Sequence, residues 1–308
     1  MTETKALLVD TATTLTSAEV PTSRLRSVAA RATSSWSAQI SLVILGLVLI
    51  CALIPWVIAP RDPFTQDLSL RLLPPAWSER GVPGYWLGTD QLGRDTLSRI
   101  IEGTRITVLV SLFAVAVSGI VGVAAGLASG FYGGKTDAVI LRLIDIQLAF
   151  PLILLVIAVV AVVGPSLTNL IIIMGLSGWP RFARVVRGSV LTVRNLEFVD
   201  AARSVGASRL RIMTHHILPN ILSAIIVYAS FEIARMILLE ATLSFLGLGV
   251  QPPTPTWGGM ISDGRKYVSQ SWSVSIIPGI AIALVILSFN ILGDTLRDAL
   301  DPQLDERL

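Results

Sequence analysis

The stretch "ASGFYGGKTDAV", Ala128 to Val139, carries a Gly-Gly-Lys-Thr run, the residue types from which phosphate cradles are made. Such a cradle needs G-x-x-x-x-G-K-[ST], because backbone N–H groups along the whole run curl around the phosphates before the lysine and hydroxyl add charge and a magnesium ligand. With Lys135 and Thr136 in those places, a glycine is required at position 129, and Ser129 stands there. The run leading in, "VSLFAVAVSGIVGVAAGLASG", is uncharged and of membrane length instead of a short buried strand. The stretch therefore reads as a sharp turn made possible by Gly130, Gly133 and Gly134, and this chain is expected to hold no nucleotide or other cofactor. His215 and His216 are adjacent, so their side chains diverge on a helix; the only Cys is Cys51, in an apolar run, and no metal set results. Glu232 and Arg235 are three apart in another apolar run. They either neutralise one another within i,i+3 reach or line a path for a polar solute. Arg142 and Asp145 read as a structural pair.

The elements that must position these residues are membrane helices. Hydrophobic residues make up 53% of the 308 and charged residues only 15%, against about 45–50% and about 25% in soluble domains. The surplus falls in long uncharged stretches separated by short polar ones, the pattern of a polytopic helical protein. A net charge of +3 is too small to point to nucleic acid. Six spans are expected: Ile40–Ile58, Ile106–Ala128, Leu143–Val163, Leu167–Val186, Ile217–Leu239 with an apolar extension to Leu246, and Val274–Leu292. Residues 1–35 read as a flexible cytoplasmic tail, 36–58 as the first span, 59–103 as a Pro-rich external segment, 104–294 as a core of five spans, and 295–308 as a cytoplasmic tail. Arg184, Arg187, Arg194, Arg203, Arg209 and Arg211 cluster between the fourth and fifth spans, opposed by Glu197 and Asp200. The positive-inside rule makes that loop cytoplasmic, and with six spans both termini share its side.

The same loop, Asn195 to Asn220, is the segment that could do mechanical work. Val199, Ala202, Gly206, Leu210 and Met213 recur at helical spacing, so the segment can present one face of small residues while its arginines reach water. Ala201, Ala202 and Gly206 leave that face without bulk, which suits docking into a groove of another protein. An amphipathic helix lying in the headgroups is the alternative, but its apolar face should be large and aromatic. Gly206 followed by Ser208 can end one short helix and cap the next, and Pro219 suits a helix entry.

The loop resembles the "EAA" loop of ABC-importer permeases, E-A-A-x-x-x-G followed by I-L-P, here "DAARSVG" and "ILP", with Asp200 where that family usually has Glu. "LGTDQLGRDTLSRIIEGTRITV", "GFYGGKTDAVILRLIDIQLAFP", "EATLSFLGLGVQPPTPTWGGMI" and "FNILGDTLRDALDP" are similar, in order, to the C-type permease subunit of dipeptide and oligopeptide importers. The resemblance implies an all-α type I ABC-importer permease with six transmembrane helices in a bacterial inner membrane. It implies as partners a homologous B-type permease, two ABC ATPases that carry ATP and Mg, and an external substrate-binding protein, besides membrane lipid. Coupling to the ATPases would fall to Glu197, Asp200, Ala201, Ala202, Gly206, Leu218 and Pro219, and Glu232 and Arg235 are candidates for the translocation path. The chain would then be a transport subunit and not an enzyme. Two other classes compete: a secondary transporter, which needs its own ion-coupling site in broken, repeated helices, and an intramembrane hydrolase, which needs a nucleophile and base or metal in the spans. Within the importer reading, a non-peptide solute such as a metal complex is the alternative cargo.

Overall fold

A computed structural model describes residues 35–300. The tail assigned to 1–35, except its last residue, and residues 301–308 lie outside the described residues. Among the described residues the chain is helical without a β-strand: α1 Trp36–Leu53, α2 Pro55–Ile58, α3 Thr96–Tyr132, α4 Gly134–Leu148, α5 Leu152–Val163, α6 Leu167–Val193, α7 Glu197–Ser204, α8 Arg209–Phe245, α9 Trp257–Gly264 and α10 Ser273–Leu300.

Helix boundaries follow local chemistry. Asp95 caps α3 by accepting from the Ser98 N–H at 2.8 Å, Ser166 caps α6 through the Asn169 N–H, and Thr256 caps α9 through the Gly259 N–H. The cap at Asp95 starts α3 inside the segment assigned to 59–103, and α10 continues to Leu300, into the segment assigned to the C-terminal tail.

Four described helices are long and apolar enough to cross a membrane, α1, α3, α8 and α10, or five if α4 and α5 together form one span. The expected count of six is not confirmed. The third expected span, Leu143–Val163, is bent by 83° between α4 and α5, where Pro151 lacks a backbone N–H and forces Phe150 away from helical backbone. The fourth, α6, carries Arg181, Arg184 and Arg187 in its second half and falls short of the apolarity of the other four.

The core is organised on the seam between α3 and α6. Ser118, Gly122, Gly126 and Gly130 recur every four residues on α3 and are all buried. A Cβ on Gly122 would lie 2.3 Å from Phe182 Cβ, and one on Gly126 would lie 2.6 Å from Val186 Cβ. Small residues let two backbones approach, and dispersion between close helices then replaces the hydrophobic drive that lipid does not supply. The bent pair is fastened to the same helix. Pro180 removes the N–H that would pair with the Leu176 carbonyl, and Gln147 Nε2 donates to Leu176 O at 3.0 Å and Ser177 O at 3.1 Å. Gln147 Oε1 also accepts from Trp179 Nε1 at 2.8 Å.

Candidate functional site

The Gly-Gly-Lys-Thr run is the reversal between α3 and α4, with Ser129 inside α3 and Lys135 exposed. A polar latch closes it. Asp137 takes two hydrogen bonds from Arg187, at 2.6 and 2.7 Å, and a short one from the Ser129 hydroxyl. Arg194 Nη1 donates to Gly130 O at 2.6 Å. The position that a phosphate cradle would reserve for glycine thus belongs to a latch holding α4 and α6 against the end of α3. Asp145 pairs with Arg184 of α6 at 2.6 Å, so the expected Arg142–Asp145 pair is replaced by a contact between helices.

Beside this latch lies the loop that was expected to dock another protein. α7 is one short amphipathic helix whose inner face, Val199 and Ala202, is 0% and 7% exposed. These two pack in a cluster with Leu127, Val186, Val190 and Ile212. The small-residue face anticipated from the spacing is therefore divided: Val199 and Ala202 serve the chain's own core, because the ends of α3 and α6 offer them an apolar seat. What α7 and its exit present outward is Glu197, Phe198, Asp200, Ala201, Val205 and Leu210, all exposed. Asp200 and Arg203 form an exposed pair at 2.9 Å, worth little by itself.

Gly206 ends α7 with φ of +80°. The Gly206 N–H bonds Arg203 O and the Ala207 N–H bonds Ala202 O at 3.1 Å, which reverses the chain and satisfies carbonyls at the helix end. Ser208 then caps α8 through the Arg211 N–H. Residues Ile212–Ile217 form a π-helical turn, so the ladder is already widened when Pro219, lacking an N–H, arrives. Leu218 is half-buried against the same cluster, and Pro219 is exposed. His215 Nδ1 bonds the neighbouring Thr214 hydroxyl at 2.8 Å, and no metal-ligating group of three exists among the described residues.

Inside the bundle, Glu232 is 2% exposed. Arg235 grips it with Nε at 2.8 Å and with Nη2 in a second, short contact, and the Tyr228 hydroxyl donates at 3.3 Å. The carboxylate is neutralised on its own helix, and Arg235 is the member that remains partly exposed. A second buried carboxyl on the same helix, not among the expected site residues, is Glu240, which accepts from Ser244 Oγ at 2.6 Å and Thr107 Oγ1 at 3.2 Å. A glutamate in an apolar run with a serine four residues on was the available signal.

The profile of the family described as binding-protein-dependent transport system inner membrane component matches residues 122–306. The chain belongs to this family. A second profile, the N-terminal TM domain of oligopeptide transport permease C, matches residues 23–75. Among curated relatives, the di/tripeptide transport system permease protein DppC of Pseudomonas aeruginosa is 45% identical over 264 residues, covering 85% of this chain and 87% of that one. The dipeptide permease DppC of Haemophilus influenzae is 44% identical, covering 87% and 91%. The glutathione transport system permease GsiD of Pectobacterium atrosepticum is 46% identical, covering 71% and 73%. Among solved structures, the inward-facing MetNI methionine ABC transporter aligns with a TM-score of 0.55 at 17% identity, covering 66% of this chain and 97% of that one, a likeness of fold. The chain is thus an all-α, multi-pass permease subunit of an ABC importer in a bacterial inner membrane, a transport subunit and not an enzyme. ATP hydrolysis belongs to partner ATPases, and membership implies a second permease and a binding protein beside them.

Proposed function

We propose that this chain forms half of a translocation path for di- or oligopeptides, paired with a homologous B-type permease, and that two ATPases carrying ATP and Mg drive it through the 195–220 loop. The observation that carries the peptide reading is the 45% identity, over 85% of the chain, to a permease named for di- and tripeptides. In this reading the loop, both termini and the Asp137 latch face the cytoplasm, and the Pro-rich segments 59–95 and 247–256 face the binding protein. The arginine cluster around α7 supports that orientation.

Coupling is assigned to Glu197, Asp200, Ala201, Ala202, Gly206, Leu218 and Pro219 in distinct parts. Glu197, Asp200 and Ala201 form the outward face that enters an ATPase groove. Ala202 seats α7 on the bundle with Val199, so that a push on the helix reaches α3 and α6. Gly206 sets the reversal, and Leu218 and Pro219 carry the motion into α8. A rigid element with few ways to yield transmits displacement between two bundle states. Glu232 and Arg235 are the pair assigned to the path, with Arg235 reaching its surface.

Ala201→Trp tests the docking face, because Ala201 is exposed on the outer side of α7. The assembled importer is expected to keep ATP hydrolysis while losing at least tenfold in solute moved per ATP, or to lose ATPase association outright. Wild-type transport and stoichiometry in an assembled Ala201→Trp complex would remove the docking role.

A further inference from the structure

At the end of the bundle opposite α7 the segments before α3 and before α9, with the adjoining ends of α3, α8 and α9, line a half-open cavity of about 420 Å³. From Arg99 to Leu127, which packs beneath α7, α3 rises about 40 Å at ~1.5 Å per residue, so this cavity is remote from the docking loop. Two guanidinium groups line it, Arg94 and Arg99, only 6% and 4% exposed. Arg94 Nε donates to Asp90 Oδ2 at 2.7 Å, while Asp90 Oδ1 accepts the N–H groups of Leu92 and Arg94. That carboxylate is already occupied. Arg99 Nε lies 3.3 Å from the same Oδ2 but out of line for a hydrogen bond, and neither Nε nor Nη1 has an acceptor. Asp95 spends one oxygen capping α3 and lines a separate cleft with Arg61 and Tyr85. Asp263 lines the cavity from an exposed position.

Two buried cations therefore share one buried carboxylate, with the exposed Asp263 acting on Arg99 only through its charge, in a cavity that also holds an orphaned acceptor, the buried Gln91 Oε1. Buried polar atoms are normally paired, and a guanidinium fork is shaped for a carboxylate. A fork with open donors and an amide oxygen with an open lone pair, in one cavity with Pro252, Pro255 and Met260 as apolar wall, match a molecule that has a carboxylate and an N–H on a short backbone. We propose that this cavity is a solute station, in which Arg99 holds the terminal carboxylate of a short peptide and Gln91 accepts one of its N–H groups. This rests on the peptide reading of the previous subsection.

The test uses the complete importer in proteoliposomes, with dialanine and dialanine amide as probes, each supplied above its affinity for the binding protein so that delivery is saturated. Wild type should move dialanine at least tenfold faster than the amide. Arg99→Gln should lose tenfold or more of dialanine uptake while amide uptake stays within twofold of wild type; Gln91→Ala should slow both probes by a smaller factor. If Arg99→Gln does not assemble, Arg99→Lys keeps the charge beside Asp90 without the fork and should show the same selective loss. Dialanine uptake that stays at wild type, or that falls in step with the amide, makes Arg99 structural and overturns the station. Weaker docking of the unliganded binding protein to the Arg99 variant assigns the guanidinium to an acidic side chain of that protein, which overturns it equally. No dialanine uptake by the wild-type complex overturns the peptide reading instead, and the station with it.

Discussion

Gly122 and Gly126 show how a single missing methyl group shapes this molecule. Each faces a side chain of α6 at a distance where a Cβ has no room, and overpacking of such a site costs about 1–3 kcal/mol. Gly126→Val is expected to lower the melting temperature of the purified complex, whereas Gly46→Ala in α1, where a Cβ meets nothing within 4 Å, should leave it unchanged. Equal effects of the two would mean that the α3–α6 seam is not close-packed. The four-residue spacing of Ser118, Gly122, Gly126 and Gly130 was open to view in the sequence. Which helix it receives was not, because a stripe of small residues names no partner. Ser129 was legible to the extent of excluding a phosphate cradle; its bond to Asp137 depends on a reversal that brings α4 back alongside α3.

Among the elements, α7 divides what spacing alone can say. Periodicity marked Val199 and Ala202 as one face, and the Gly206–Ser208 break was readable from residue type. That the face turns inward depends on Leu127, Val186 and Val190 arriving from distant parts of the chain, which no local pattern records. Gly206→Ala forces a side chain into left-handed backbone at about 1–2 kcal/mol, so it should loosen α7 and raise protease cleavage near residue 206 without adding bulk to the docking face. Unchanged cleavage would show that the turn tolerates another conformation. The bend between α4 and α5 could be suspected from Pro151, yet the length and apolarity of Leu143–Val163 favoured one straight span. Gln147 is what fastens the bent pair, and Gln147→Leu leaves two carbonyls and an indole N–H without that partner. A loss of about 1–3 kcal/mol is expected, seen as a lower melting temperature; an unchanged one would mean that the bend is held by packing alone.

At the scale of the whole molecule, the two ends of α3 carry different duties in this account: the docking loop at one end, and at the other a Pro-rich surface where Trp257 Nε1 donates to Ile100 O at 3.1 Å. Single cysteines in a Cys51→Ser background test the sidedness. Replacements at Glu79 and Arg265, both exposed, should react with an impermeant maleimide in intact spheroplasts, and one at Lys135 should react only after permeabilisation; the reverse pattern would invert the topology. Composition and the ordered motifs were enough for fold class and family. The number of spans was not legible, because hydropathy does not register a bend, and α6 trades apolarity for arginines that pair with α4. The most direct measurement of the central claim is uptake of radiolabelled dialanine by proteoliposomes containing this chain, its partner permease, the ATPases and the binding protein. Accumulation that requires ATP, the binding protein and this chain together is the predicted result. Accumulation that persists without ATP hydrolysis, or none when all components are assembled and hydrolysing ATP, would contradict it.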